Sequence, residues 1–202
     1  SHKALIHNLF ASLNIIRDFG IDNERFISFL PLSHSYERMA GLYFPLLIGG
    51  EIYFCSSLDK LMNEVKEIKP TIFSGVPRLF ENIFKKIKSQ INKVGFFKRI
   101  ILNICFNSFE DNRQNSLSKY LGQIFIFLFL RTSVKKIFGR NIKTLISGGA
   151  ALSPKIGLFF NKIGITLLQG YGQTEAAPLI SCNTKKFNNP NTVGFPVKDV
   201  EI

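Results

Sequence analysis

Lys143-Thr144-Leu145-Ile146-Ser147-Gly148-Gly149-Ala150-Ala151-Leu152-Ser153-Pro154, with a second apolar run at Ile165-Thr166-Leu167-Leu168, is the stretch on which the fold turns. Both runs are short, rich in β-formers and bounded by glycine or polar residues, so they read as buried strands. Between them Ser153 is placed as an N-cap and Pro154 at the first helical position, which predicts a helix. A strand, a crossover helix and a second strand imply parallel pairing with helices against the sheet.

The same rhythm runs outward toward the N-terminus. Thr71-Ile72-Phe73-Ser74 predicts a strand, and Pro77 begins a helix through about Val94. Leu58 to Ile68 predicts a helix stopped before Pro70, where the residue preceding proline leaves the helical region. Glu51-Ile52-Tyr53-Phe54-Cys55 follows the helix-ending pair Gly49-Gly50, Tyr36 to Ile48 has helical spacing, and Arg25 to Pro31 reads as a buried strand. Asn188-Asn189-Pro190-Asn191 is a turn or exposed loop. The expected class is α/β: a mainly parallel sheet layered with helices, carrying a helical insertion around 78–142.

Within that insertion, Phe96 to Ile104 carries an apolar stripe. Gln123 to Leu130 is strongly apolar and is followed by Arg131, Lys135, Lys136 and Arg140. Such a segment packs against the sheet or lies on an acidic membrane surface. Its longest apolar run, Ile124 to Leu130, falls well short of the roughly 20 residues a membrane-spanning helix needs.

The chain has 202 residues, 46% of them hydrophobic, which is enough for a domain-sized core and excludes a solvated, disordered chain. Its net charge is +12, but the lysines are spread along the whole length and accompany a general excess of Ile, Asn and Phe. They read as ordinary solvated faces, with a non-catalytic basic module docking on an anionic membrane as the alternative. Aromatic and basic residues are not interleaved as in nucleic-acid readers, so no nucleic-acid partner is expected. Cys55, Cys105 and Cys182 are odd in number and widely spaced, which argues against a disulfide framework or zinc site and suits a reducing cytoplasm. The expected location is therefore cytoplasmic, with peripheral contact at the cytoplasmic membrane face left open.

Three segments carry candidate chemistry at strand ends, where parallel sheets bind ligands. Gly148, Gly149 and Ala150 would let a flat ligand approach the backbone, although a strand-to-helix turn also needs small residues for steric reasons. Gln169-Gly170-Tyr171-Gly172-Gln173-Thr174-Glu175 reads as a second glycine-rich turn. Tyr171 can stack on a planar base, Thr174 can donate to a phosphate oxygen, and Glu175 can hold Mg2+ against that phosphate. In Leu30-Pro31-Leu32-Ser33-His34-Ser35-Tyr36-Glu37-Arg38, His34 sits at a strand end and is either structural or faces a carboxylate.

In this order the segments resemble the adenylate-forming superfamily, and within it the long-chain acyl-CoA synthetases. The resemblance rests on Leu30-Pro31-Leu32-Ser33-His34 with Glu37-Arg38, Pro70 to Phe73 with Val76-Pro77-Arg78, Ser147 to Ala150, and Gly170 to Glu175. Ser1-His2-Lys3 is similar to the stretch just after the family's phosphate loop, and Val193-Gly194-Phe195-Pro196 to its later Gly-x-Pro turn. The resemblance implies part of the large N-terminal domain, with 1–202 cut short at both ends and the phosphate loop and small C-terminal domain absent. It implies activation of a fatty acid by ATP and Mg2+ to an acyl-adenylate, then transfer to coenzyme A. By the same resemblance Tyr171 stacks the adenine, Thr174 contacts the α-phosphate and Glu175 binds Mg2+. Gln169, Gly170 and Gly172 bind the nucleotide with them; Gly148, Gly149 and Ala150 line the adenine and acyl site; His34 orients the carboxylate or gates the acyl channel; and Gly194 shapes the acyl pocket. Asp199 stands where the family usually has Gly. The alternatives are a ligase for an aryl, medium-chain or amino acid, and the basic membrane-docking module. The 202 residues alone are expected to catalyse little adenylation.

Overall fold

The computed structural model describes residues 1–92, 130–132 and 134–202. The elements begin with helix α1 (His2–Ile16), strand β1 (Arg25–Ser28), the single turn α2 (Ser35–Glu37), a π-helical stretch (Arg38–Tyr43), α3 (Phe44–Leu47), β2 (Glu51–Phe54) and α4 (Leu61–Ile68). They continue with β3 (Ile72–Gly75), α5 (Pro77–Asn92), helical residues 130–132 and 134–138, β4 (Thr144–Ser147) and α6 (Pro154–Lys162). β5 (Thr166–Gly172), β6 (Leu179–Cys182) and β7 (Phe195–Pro196) follow. The expected stripe at Phe96–Ile104 and the apolar run before Leu130 lie outside the described residues.

β1 and β2 pair in parallel as a two-stranded sheet; the larger sheet has the order β3-β4-β5-β6-β7. β3, β4 and β5 are parallel, whereas β6 and β7 are antiparallel to their neighbours. The two sheets are joined at their N-terminal ends by buried Glu24, whose carboxylate accepts from the Thr71 hydroxyl and the Lys143 ammonium. Thr71 in turn accepts the Arg25 amide at 2.9 Å.

Alternation along the strands divides the core in two. Phe73, Leu145 and Leu167 point to one side, where they meet Phe80 and Ile83 of α5, Phe138, and Phe159 and Phe160 of α6. Ile72 and Leu168 point to the other, against Ala11, Ile15 and Ile16 of α1 and Phe44 of α3. Neighbouring residues of one strand face opposite layers because the side-chain period is two. Phe73 sits at the centre of the first layer, with ring centroids 5.7 Å from Phe29, 6.2 Å from Phe80 and 5.2 Å from Phe138.

Local chemistry explains where the elements differ from expectation. The helix expected from Leu58 begins at Leu61, and it ends at Lys69, whose left-handed backbone precedes Pro70. The Tyr36–Ile48 spacing starts one residue earlier and is interrupted by the π-helical stretch. Pro45 has no N–H to offer the Gly41 carbonyl four residues back, so an unbroken α pattern cannot pass it. Ser153 occupies the N-cap position before Pro154, but its side chain makes no capping bond; the Gln169 side chain instead accepts the preceding Leu152 amide at 2.7 Å. The segment read as a turn after Leu168 is strand as far as Gly172, because β6 folds back to pair with it antiparallel. α1 carries no signal used above; it is amphipathic, with Asn8, Ala11, Ile15 and Ile16 on its buried side.

Candidate active site

The C-terminal ends of β1, β3 and β4 share one edge, and the chain leaving each of them bends over a cavity of about 360 Å3. Its floor is apolar, built by Ile15 and Ile16 of α1, Phe26 of β1, Met39 and Phe44 beyond α2, and Ile72 of β3. Its rim is polar, with His34 and Ser35 on one side and Thr174 and Glu175 on the other. A pocket of this size lies near the lower end of the range for small-molecule sites.

The two sides of the rim touch directly. The hydroxyls of Ser35 and Thr174, 139 positions apart in the chain, share a hydrogen bond of 2.9 Å. His34 caps α2, its Nδ1 accepting the Tyr36 amide at 3.3 Å. That bond fixes the ring and leaves Nε2 as the nitrogen available to a ligand.

Tyr36 lies beneath this contact. Its hydroxyl donates over 3.4 Å to the carbonyls of Gly75 and Ile146, bridging the ends of β3 and β4, and burial holds the phenol well above its ordinary pKa. Its ring abuts Gly148, where a Cβ would stand 2.9 Å from Tyr36 Cζ. The next residue, Glu37, is buried: Oε1 accepts the Ser28 hydroxyl at 2.6 Å and the Phe29 amide at 3.0 Å. Burial raises its carboxyl pKa, against the pull of those hydrogen bonds. Glu37 thus ties the turn bearing His34, Ser35 and Tyr36 to the end of β1.

On the far side of the cavity, Tyr171 and Gly172 end β5, and Thr174 and Glu175 lie in a 3-10 turn (Thr174–Ala176). Tyr171 is 48% exposed, so its ring is free to take a planar ligand. Glu175 is exposed. Among the described residues no group of three His, Cys, Asp or Glu side chains could hold a metal. One carboxylate suits Mg2+ only in the way that ion usually binds, with phosphate and water oxygens completing the shell.

Of the residues singled out from sequence, His34, Gly148, Gly149, Gly170, Tyr171, Gly172, Thr174 and Glu175 line the cavity, and Gln169, Ala150 and Gly194 do not. Gln169 works from behind, holding the Leu152 amide and donating to the Thr192 carbonyl at 3.2 Å. Ala150 is exposed on the loop. Gly194 packs onto the backbone of β6, where a Cβ would overlap the Cys182 carbonyl, so no side chain fits at that crossing. Ser35 and Tyr36 have no sequence signal as site residues beyond adjacency to His34, because their partners are remote in sequence; Glu37 enters the sequence reading only through the resemblance, and its role in holding the turn appears in its bonds to Ser28 and Phe29.

The model of the family described as AMP-binding enzyme matches residues 1–202. The chain belongs to the AMP-binding enzyme family. This AMP-binding chain is 30% identical over 184 residues to Long chain acyl-CoA synthetase 5 of Arabidopsis thaliana, covering 90% of the chain and 28% of the relative. It is 29% identical over 206 residues to the same plant's peroxisomal Long chain acyl-CoA synthetase 7, covering 100% of the chain and again 28% of the relative. The chain therefore spans little more than a quarter of these relatives. Its fold is shared with a benzoate CoA ligase from Burkholderia xenovorans LB400, at TM-score 0.62 and 23% identity, over 98% of this chain and 32% of that one. Among the described residues no helix is long and apolar enough to cross a membrane.

Proposed function

We propose that the protein carrying this chain activates a long-chain fatty acid with ATP, forming an acyl-adenylate and pyrophosphate, and then transfers the acyl group to coenzyme A. The observation that carries this reading is the Ser35–Thr174 hydroxyl contact, which closes a polar rim over an apolar floor. An amphiphile fits such a site: its alkyl chain lies among Phe26, Phe44 and Ile72 while its carboxylate stays at the rim near His34. The similarity to long-chain acyl-CoA synthetases over nearly the whole chain supports the choice of acid.

In the first step a carboxylate oxygen attacks the α-phosphorus and the bond to pyrophosphate breaks. Tyr171 stacks on the adenine, the backbone at Gly148 and Gly149 admits it closely, and the Thr174 hydroxyl donates to the α-phosphate. Glu175 would hold Mg2+ against the phosphates, which offsets the repulsion between two anionic reactants. In the second step the coenzyme A thiol sulfur attacks the acyl carbon and AMP leaves. The catalytic contribution of these residues is positioning and charge stabilisation.

The test is pyrophosphate release by the intact protein over a panel of carboxylic acids. Within saturated fatty acids, kcat/KM rises by up to about fourfold per methylene until the apolar floor is filled, since each buried CH2 contributes ~0.8 kcal/mol. Thr174→Ala lowers the adenylation rate about 100-fold, the effect of losing one transition-state donor. An optimum on aryl, medium-chain or amino acids overturns the long-chain assignment; no acid-dependent pyrophosphate release overturns the whole reading.

A further inference from the structure

At the opposite edge of the sheet, before β3 and β4 begin, two helix ends converge on a groove of about 640 Å3. One is the end of α4; the other follows residues 134–138. Five cations line the groove: Lys66, Lys69, Lys135, Lys136 and Arg140. Gly139 brings the helix ends together, since a Cβ there would stand 2.6 Å from Cβ of Lys69.

Cations at helix ends ordinarily answer the partial negative charge of the terminal carbonyls. Two such ends supply only about one negative charge between them, which leaves about four positive charges in excess among the described residues of the groove. Nearby cations are neutralised: Lys143 is paired with Glu24, and Arg25 with Glu51 at 3.2 Å. None of the five in the groove has a carboxylate partner among the described residues. Glu67 of α4 does not line the groove.

We propose that this groove docks the protein on the phosphate headgroups of an anionic phospholipid surface. Clustered charge of one sign is stabilised by a polyanionic partner, and each cation near such a surface adds to the attraction. Among the described residues no aromatic side chain lines the groove to stack on a base, which favours a lipid surface over single-stranded nucleic acid. The groove lies at the edge of the sheet away from the cavity rim, so docking leaves the candidate active site open. The proposal stands independently of which acid is activated.

The experiment is co-sedimentation of the intact protein with phosphatidylcholine vesicles, with and without phosphatidylglycerol. Binding is expected only with phosphatidylglycerol and weakens as salt rises. Lys66, Lys136 and Arg140 are exposed, so the triple variant Lys66→Gln/Lys136→Gln/Arg140→Gln should keep its fold, which a thermal melt checks. It loses about 100-fold in affinity, roughly fivefold per cation. A control with Lys85, Lys86 and Lys198 changed to Gln removes the same charge elsewhere and binds nearly as the parent does. Absence of phosphatidylglycerol-dependent binding, unchanged binding by the triple variant, or an equal loss in the control each overturns the proposal. So does groove-dependent binding of an RNA oligonucleotide or of inorganic pyrophosphate without vesicle binding. Should the triple variant melt early, Lys136→Gln and Arg140→Gln alone carry the test, each expected to lose about fivefold.

Discussion

Gly148 and Tyr36 occupy each other's limits. With a Cβ position only 2.9 Å from the phenol ring, Gly148→Ala forces one of the two to move. The expected cost is about 1–3 kcal/mol of stability, as for other overpacked sites. Tyr36→Leu in the same protein removes the obstacle and recovers most of the loss, so a double-mutant cycle by chemical denaturation should return a coupling term of similar size. Glu37 governs a different variable. Its folded pKa is raised, so its contribution to stability is fully present below the ordinary carboxyl pKa and is lost as pH rises through the folded value. Glu37→Gln keeps an acceptor for Ser28 and Phe29 without a titrating proton. Melting temperature followed from acid upward should fall less steeply with pH in the variant than in the parent; parallel curves would show that Glu37 does not titrate in that window.

Among the elements, α1 is hydrogen-bonded to β6 through the side chain of Asn8. Asn8 donates to the Leu179 carbonyl at 2.7 Å and accepts the Leu179 amide at 3.0 Å, so a side-chain amide pairs with a strand as a neighbouring strand would. Asn8→Ala leaves both Leu179 backbone groups without that partner, at a cost of about 1–3 kcal/mol, measurable as a lowered denaturant midpoint. Because α1 supplies Ile15 and Ile16 to the cavity floor, the same change should loosen acid binding more than nucleotide binding. The π-helical stretch has a comparable place at the site, since Met39 within it and Phe44 just after it complete the floor.

Across the whole molecule, two apolar layers enclose a sheet whose cavity-bearing edge gathers loops from distant parts of the chain. The strand–helix–strand rhythm was legible in the sequence because burial on both faces leaves continuous apolar runs, and Gly49-Gly50, Pro70, Pro77 and Pro154 mark breaks whose steric causes are local. The clustering of Tyr171, Thr174 and Glu175 was legible for the same reason: they lie within five residues of one another. Tertiary structure alone decided that β5 runs on through Gly172, since its hydrogen-bond partner is β6. It alone decided that Ser35 meets Thr174, that Tyr36 closes on Gly148, that Asn8 clasps Leu179, and that Gln169 and Gly194 lie outside the cavity lining. Local sequence specifies backbone preference and which residues seek burial. Contacts between residues more than 100 positions apart arise only once a packed sheet fixes which loops share an edge, and a one-residue change in strand register would send each side chain to the other layer.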